Sequence, residues 1–119
     1  MRWFAASIVL YVKYKDNKQN NYPIWENIYL ISAMTPNEAY RKAISLGKNQ
    51  QGDSNGTLKW CKRPACWKYA GVRKIIECTE RNNKPTDGTE ISYAQMLIKN
   101  RNDLKKLIKC KPVEVIYEE

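Results

Sequence analysis

Residues 3–14 alternate with the period of a β-strand and are apolar on both faces, and this stretch constrains the fold more than any other. Phe4, Ala6, Ile8, Leu10 and Val12 fall on one face; Trp3, Ala5, Ser7, Val9, Tyr11 and Lys13 fall on the other. A strand that is apolar on both sides belongs in the middle of a sheet or under cover on both faces. The opening Met1-Arg2-Trp3-Phe4-Ala5-Ala6-Ser7-Ile8-Val9-Leu10 has a basic residue and then an apolar run, as a signal peptide does. It continues into Tyr11-Val12-Lys13-Tyr14 with no small-residue cleavage site, so it reads as a strand, and the expected location is cytoplasmic. No apolar run approaches the roughly 18 residues of a membrane span, so no membrane partner is expected.

Residues 15–23, KDNKQNNYP, are polar and rich in turn formers, and predict an exposed hairpin loop. A second strand follows at 24–33, with Ile24, Ile28 and Leu30 on one face and Trp25, Tyr29 and Ile31 on the other. Thr35-Pro36-Asn37-Glu38 is a capping box with proline at the first helical position. In it the threonine hydroxyl accepts from the Glu38 amide and the Glu38 carboxylate returns to the Thr35 amide. Ala39, Ala43 and Leu46, with Tyr40 and Ile44, continue the helical stripe, and Gly47 stands where a left-handed cap would end a helix spanning 36–46.

Residues 47–57, GKNQQGDSNGT, predict a flexible loop, and Leu58 to Cys61 a short strand broken by Pro64. Residues 66–80 form the third main strand, in which Gly71 signals a bulge or a close backbone approach. Asn82 to Gly88 predicts a turn ending in Asp87-Gly88, and 89–98 a fourth strand that pairs back as a hairpin. Asn102 or Asp103 caps a short helix over 103–110 that places Leu104, Leu107 and Ile108 on one face and stops at Pro112. Val113 to Tyr117 adds a short edge strand. The predicted architecture is α+β, in the order ββαββαβ. It is an antiparallel sheet of about four to five strands with one long and one short helix packed on it, in a single domain over residues 1–119.

This ordered set of residues resembles a family of bacterial domains of unknown function, number 4288. The resemblance rests on the Trp3 strand, on Trp25-Glu26 opening the second strand, and on the helix from Glu38-Ala39 through Lys42-Ala43 to Leu46-Gly47. It continues with Trp67-x-Tyr69-x-Gly71-Val72, Asp87-Gly88-x-Glu90 and the closing Lys111-Pro112-Val113, and so covers nearly the whole chain. Gly52 to Ala65, with two cysteines, departs from the pattern. The resemblance implies a small stand-alone bacterial domain and supplies no catalytic residues.

The residues themselves offer little for catalysis. The 119-residue chain has no histidine, which removes the commonest general base and the commonest metal ligand together. No glycine-rich phosphate loop, nucleophile elbow or histidine pair occurs. The carboxylates Glu26, Glu38, Glu77, Glu80 and Glu90 are candidates for acid–base pairing, with Glu26 beside Glu77 or Glu90 on neighbouring strands. The competing reading is that they offset basic neighbours on a solvated surface. Cys61, Cys66, Cys78 and Cys110 provide one x4 pair and no second knuckle, so free thiols are expected in place of a zinc site, and no cofactor is expected. Cys66 lies among Lys62, Arg63 and Lys68, which favours a thiolate, yet it has no base beside it.

Charge is more informative. The net charge is +9, and it is concentrated. Residues 59–84 carry eight basic and two acidic side chains, and residues 99–111 carry six and one. The first segment interleaves Arg63, Lys68, Arg73 and Lys74 with Trp60, Trp67 and Tyr69; the second sets Lys105, Lys106 and Lys109 on one side of the short helix. Such segments suit a solvated lysine-rich surface, a nucleic-acid backbone with stacked bases, or an acidic protein partner. Strand alternation places Trp67, Tyr69 and Arg73 on one face and Lys68 and Lys74 on the other. With thirteen aromatic residues and long polar loops, the leading expectation is a non-enzymatic binding protein. Its sharper form is an immunity or inhibitor protein that covers the surface of a toxin or other protein partner, and the alternative is a basic nucleic-acid-binding module. A charge of +9 is the wrong sign for plugging the active site of a basic nuclease, so the reading requires an acidic partner surface or a contact away from the catalytic cleft. Trp25, Glu26, Arg63, Trp67, Lys68, Arg73, Lys105, Lys106 and Lys109 are the candidate partner-binding residues.

Overall fold

In the computed structural model, which describes residues 1–78 and 84–118, the doubly apolar stretch is the central strand. β1 (Arg2–Tyr14) lies between β2 (Ile24–Ala33) and β4 (Arg63–Glu77), and β3 (Lys59–Trp60) extends the sheet beyond β4. All three pairings are antiparallel, with the order β2-β1-β4-β3. Phe4 stands opposite Ile31 on one side and Glu77 on the other; Leu10 stands opposite Trp25 and Tyr69. Directly paired residues share a face. One face, the helix face, therefore carries Phe4, Ala6, Ile8, Leu10 and Val12 with their partners, and the rear face carries Ala5, Ser7, Val9 and Tyr11 with theirs.

Helix α1 (Pro36–Asn49) packs on the helix face. Ala39 and Ala43 sit against Phe4, Ala6, Ile8, Ile31 and Ala33. Fully burying side chains such as Phe4 and Ile8 contributes about 1.5–3 kcal/mol each. The helix begins as its sequence dictates, with the Glu38 amide donating to Thr35 Oγ1 at 3.1 Å. The return bond differs from expectation. The Glu38 carboxylate accepts from the Met34 amide at 3.0 Å, one residue earlier than the capping-box pattern predicts. The end differs too. Gly47 is helical and buried, and the helix runs to Asn49 with Gln50 as its cap. A Cβ at Gly47 would lie 2.6 Å from the Tyr69 ring and 2.9 Å from Ile8 Cγ2, so glycine is there for close approach to the sheet.

β3 and β4 are joined by Cys61 and Lys62, both at positive φ (51° and 65°), the geometry of a two-residue hairpin turn that ordinarily selects Asn-Gly. β4 starts at Arg63, three residues before the predicted strand, and includes Pro64 near its first residue, where proline is tolerated. β4 carries two register shifts against β1, one leaving Arg73 as an extra residue and one leaving Ala70. Gly71 lies between them, which agrees with the bulge signal in the sequence.

Past β4 the structure departs further from expectation. Residues 79–83, which include the predicted end of that strand, Glu80 and the start of the turn at Asn82, lie outside the described residues. The turn at Asp87-Gly88 is present, with Gly88 at φ 85° and the Thr89 amide bonded to the Thr86 carbonyl at 3.1 Å. Residues 89–98 do not pair back on β4. Only β5 (Met96–Leu97) is strand, and it pairs with β6 (Ile116–Tyr117) in a separate two-stranded sheet. The alternating side chains of 91–94 are used differently, lying across the rear face of the large sheet with the Lys74 ammonium bonded to the Tyr93 carbonyl.

Helix α2 (Arg101–Ile108) starts two residues earlier than predicted, because Asn100 is its cap and accepts from the Asp103 amide at 2.9 Å. It does not pack on the large sheet: none of its residues is fully buried, and Ile108 is 74% exposed. The chain order is therefore ββαβββαβ. The radius of gyration, 17.1 Å, exceeds the roughly 13–14 Å of a compact domain of this length, as expected when the last elements stand beside the main sheet.

Candidate functional site

Helix α1 covers only part of the helix face. Beyond its end, register brings Trp25 of β2 and Trp67 of β4 over Leu10 and Val12, with Trp60 of β3 alongside. The Trp25 and Trp67 rings are 4.5 Å apart and tilted at 41°. Trp60 meets both edge-on, 5.7 Å from Trp67 and 6.2 Å from Trp25. Such aromatic pairs contribute about 0.5–1.5 kcal/mol each beyond burial. Val12, Tyr14 and Ala65 form the buried floor beneath Trp60 and Trp67. The cluster is not sealed: Trp25 is 49% exposed, and beside it an open groove of about 390 Å³ is lined by Asn27, Tyr29 and Gln50.

Arg63 borders this patch and holds it in shape. Its guanidinium lies 3.6 Å above the Tyr14 ring, bonds the Asp16 carboxylate at 2.7 and 3.1 Å and reaches the Lys18 carbonyl at 2.6 Å. The hydrogen bonds from Arg63 and then from the Lys18 amide hold the Asp16 carboxyl below its ordinary range. The 15–23 loop is thereby clamped to β4. Gln19 supports it from within, donating to the Val12 carbonyl and accepting from the Tyr14 amide.

The candidate residues do not form one site. Trp25, Trp67 and Arg63 meet on the helix face. Lys68, opposite Tyr11, faces the rear. Arg73 also turns to the rear face, contrary to simple alternation, because it is the extra residue of a bulge; there it pairs with Glu26 at 3.0 Å. Lys105 and Lys106 are exposed on α2 and Lys109 is exposed at its C-cap, with Lys106 4.0 Å from Asp103. Trp60, Asp16 and Tyr14 belong to the patch but were not among its candidates. Their signal is the register across the Cys61-Lys62 turn, which no local pattern displays.

The carboxylate pairing suggested by sequence does not form. Glu26 is on the rear face, while Glu77 is on the helix face and takes a two-pronged bond from Arg2 at 2.8 and 2.9 Å. Glu90 is outside any strand, and Glu38 is committed to α1. All four cysteines are unpaired; Cys61 and Cys110 are exposed and Cys78 is buried. Among the described residues no group of three or more Cys, Asp or Glu side chains converges, and no helix is long and apolar enough to cross a membrane.

Together these features define a small α+β protein whose central antiparallel sheet is covered by one helix on part of one face and leaves a tryptophan patch open beside it. The chain belongs to the family described as Domain of unknown function (DUF4288), which matches residues 3–93. The matched region takes in the sheet, α1 and Asp87-Gly88-x-Glu90; Lys111-Pro112-Val113 and the β5-α2-β6 unit lie beyond it. No curated protein and no solved structure matches the chain.

Proposed function

We propose that this protein is a non-enzymatic binding module that engages a protein partner through the tryptophan patch. The observation that carries the reading is the half-exposed Trp25 packed on Trp60 and Trp67 over the sheet. Aromatic anchors on a preformed surface, ringed by polar groups such as Asn27 and Gln50, have the composition of a binding hot spot. In its sharper form the reading is an inhibitor or immunity protein that silences its partner by covering it, in a bacterial cytoplasm. Four unpaired thiols support a reducing compartment. The nucleic-acid alternative is less favoured, because Lys68 and Arg73 face away from the tryptophans and Arg63 is held by Asp16.

The test compares the wild type with Trp25→Ala in affinity capture, then reconstitutes the retained protein from purified components. A one-to-one complex that survives moderate salt and weakens at least tenfold on Trp25→Ala is expected. Tight oligonucleotide binding that falls steeply between about 50 and 200 mM salt, and is lost when Arg63, Lys68 and Lys74 are changed, would reverse the ranking.

A further inference from the structure

β2 is an edge strand, and its outer side is open. The Val12 amide donates to the Pro23 carbonyl at 2.9 Å, which marks the hydrogen-bonded phase of the β1–β2 ladder. Alternation along an antiparallel pair then directs the N–H and C=O groups of Trp25, Asn27, Tyr29 and Ile31 to β1, and those of Ile24, Glu26, Ile28 and Leu30 outward. Among the described residues no strand pairs with that outer side. Ser32, next in the outward phase, is already engaged, because its carbonyl accepts from the Lys42 ammonium at 2.7 Å.

Sheet edges are ordinarily guarded against further pairing, by short strands, prolines, bulges or charges. The opposite side of this sheet is guarded in those ways. β3 is two residues long, and β4 beside it carries Pro64, two bulges and the cations Lys68, Arg73 and Lys74. β2 has none of these devices. It runs for ten residues, in unbroken register with β1 from Ile24 to Ala33, and contains no proline, lysine or arginine. Glu26 is its one charge. Ile24, Ile28 and Leu30, on the rear face of this strand, are all exposed. A long, regular, apolar edge is a template for one more strand.

We propose that this strand is β2 of a second copy of the chain, paired antiparallel about a twofold axis at Asn27. At that register the edge complements itself. Ile24 pairs with Leu30 of the second copy and Glu26 with Ile28, so every outward residue from Ile24 to Leu30 exchanges hydrogen bonds and Ser32 is left out. On the helix face Trp25 stands opposite Tyr29 of the second copy, an aromatic cross-strand pair. Asn27 meets its own equivalent on the axis, where each amide has a donor and an acceptor for the other. A twofold at Glu26 would set two carboxylates directly opposite, and one at Ile28 would set Ile24 against the engaged Ser32 carbonyl. The inference stands on the open edge and does not rest on the tryptophan patch being a partner surface. The two share Trp25, so a protein seated on the patch would displace the second copy.

Sedimentation velocity of the full chain, from roughly 5 to 500 µM, should show a reversible monomer–dimer equilibrium. Its Kd should be on the order of 10–100 µM, weak because the contact is one strand wide. Ile28→Lys puts a charge on the edge, and Ile28→Pro removes an outward amide without breaking a bond to β1. Each should raise Kd at least tenfold, with thermal midpoints read alongside to show that the variants fold. Ile108→Lys, on the exposed face of α2, should leave the equilibrium unchanged. Cross-linking reads the register, in a chain carrying Cys61→Ser and Cys110→Ser. There Asn27→Cys should join two chains under mild oxidation, because a non-hydrogen-bonded pair on the axis has its Cα atoms about 4.5 Å apart, whereas Glu26→Cys should not. The proposal is overturned by a chain that stays monomeric at about 500 µM, by a dimer that survives Ile28→Lys at wild-type affinity, or by one that Ile108→Lys abolishes. It is equally overturned if Asn27→Cys does not cross-link, or if Glu26→Cys cross-links as readily.

Discussion

Arg73 and Glu26 belong to strands on opposite sides of β1, yet their side chains meet at 3.0 Å across the rear face. The bulge that skips Arg73 in the register with β1 makes this possible, since it turns Arg73 onto the same face as Lys74. Both members of the ion pair remain partly exposed. A double-mutant cycle with Glu26→Gln and Arg73→Gln, read from urea midpoints, should therefore give a coupling no larger than about 1 kcal/mol. A coupling above about 2 kcal/mol would place the pair in a desolvated setting that its exposure does not support.

Gly47→Ala makes a prediction against helix propensity. Alanine in a helix interior is favoured over glycine by about 1 kcal/mol. The new Cβ would meet the Tyr69 ring at 2.6 Å and Ile8 Cγ2 at 2.9 Å. Overpacking of that kind costs about 1–3 kcal/mol. The net expectation is destabilisation, visible as a lower thermal midpoint with an unchanged helical signal. A higher midpoint would show that α1 sits farther from the sheet.

Asp16, Asp53 and Glu38 contribute to the acid side of the stability profile. Hydrogen bonds hold Asp16 low chiefly through Arg63, Asp53 chiefly through Lys15, and Glu38 chiefly through the Met34 amide. Each is lowered in the folded state, so each contributes stability that is fully present above its unfolded value. That contribution is lost as pH falls through the folded one. Stability should fall as pH drops below about 4, and Asp16→Asn, Asp53→Asn and Glu38→Gln together should flatten that limb. An acid limb unchanged in the triple variant would remove these bonds from the explanation.

The thiols should react in an order set by exposure. Cys61 and Cys110 are open to solvent, whereas burial both shields Cys78 and pushes its thiol up, so less thiolate is available. Titration with a disulfide reagent under native conditions should show two fast thiols, Cys61 and Cys110, a slower one at the half-buried Cys66, and a last one, Cys78, that reacts only as the protein opens. Substituting Cys78→Ser should remove the slowest phase.

Much of the sheet was legible because its signals are local. The doubly apolar alternation of β1 and the cap at Thr35 each specify an element without help from distant residues. Residues 89–98 misled because alternation reports two unlike faces, not a backbone partner; here the 91–94 side chains find the rear face of the sheet while their backbone forms no ladder. Gly47 misled for a similar reason, since a glycine after a helical stripe signals a cap unless a Tyr69 ring is packed above it. Of the tryptophan patch, Trp25, Arg63 and Trp67 were readable as residues but not as neighbours of Trp60. Arg73 fell on the wrong face, because one extra residue in a strand moves a side chain from one side of a sheet to the other.

The tryptophans offer the sharpest separation between packing and recognition. Trp67 lies between Trp25 and Trp60 and covers Val12 and Ala65, so its truncation should cost about 2–4 kcal/mol, somewhat below a fully buried tryptophan. Trp25 is half exposed and should cost far less on Trp25→Ala, about 1 kcal/mol. Acrylamide quenching of single-tryptophan variants should follow the same order, with Trp25 the most accessible of the patch. If Trp25 serves recognition, its fluorescence should lose that accessibility when the partner binds, while Trp67 hardly changes. A Trp25→Ala variant as costly to stability as Trp67→Ala would make the patch part of the core, and the binding surface would have to be sought elsewhere on the molecule.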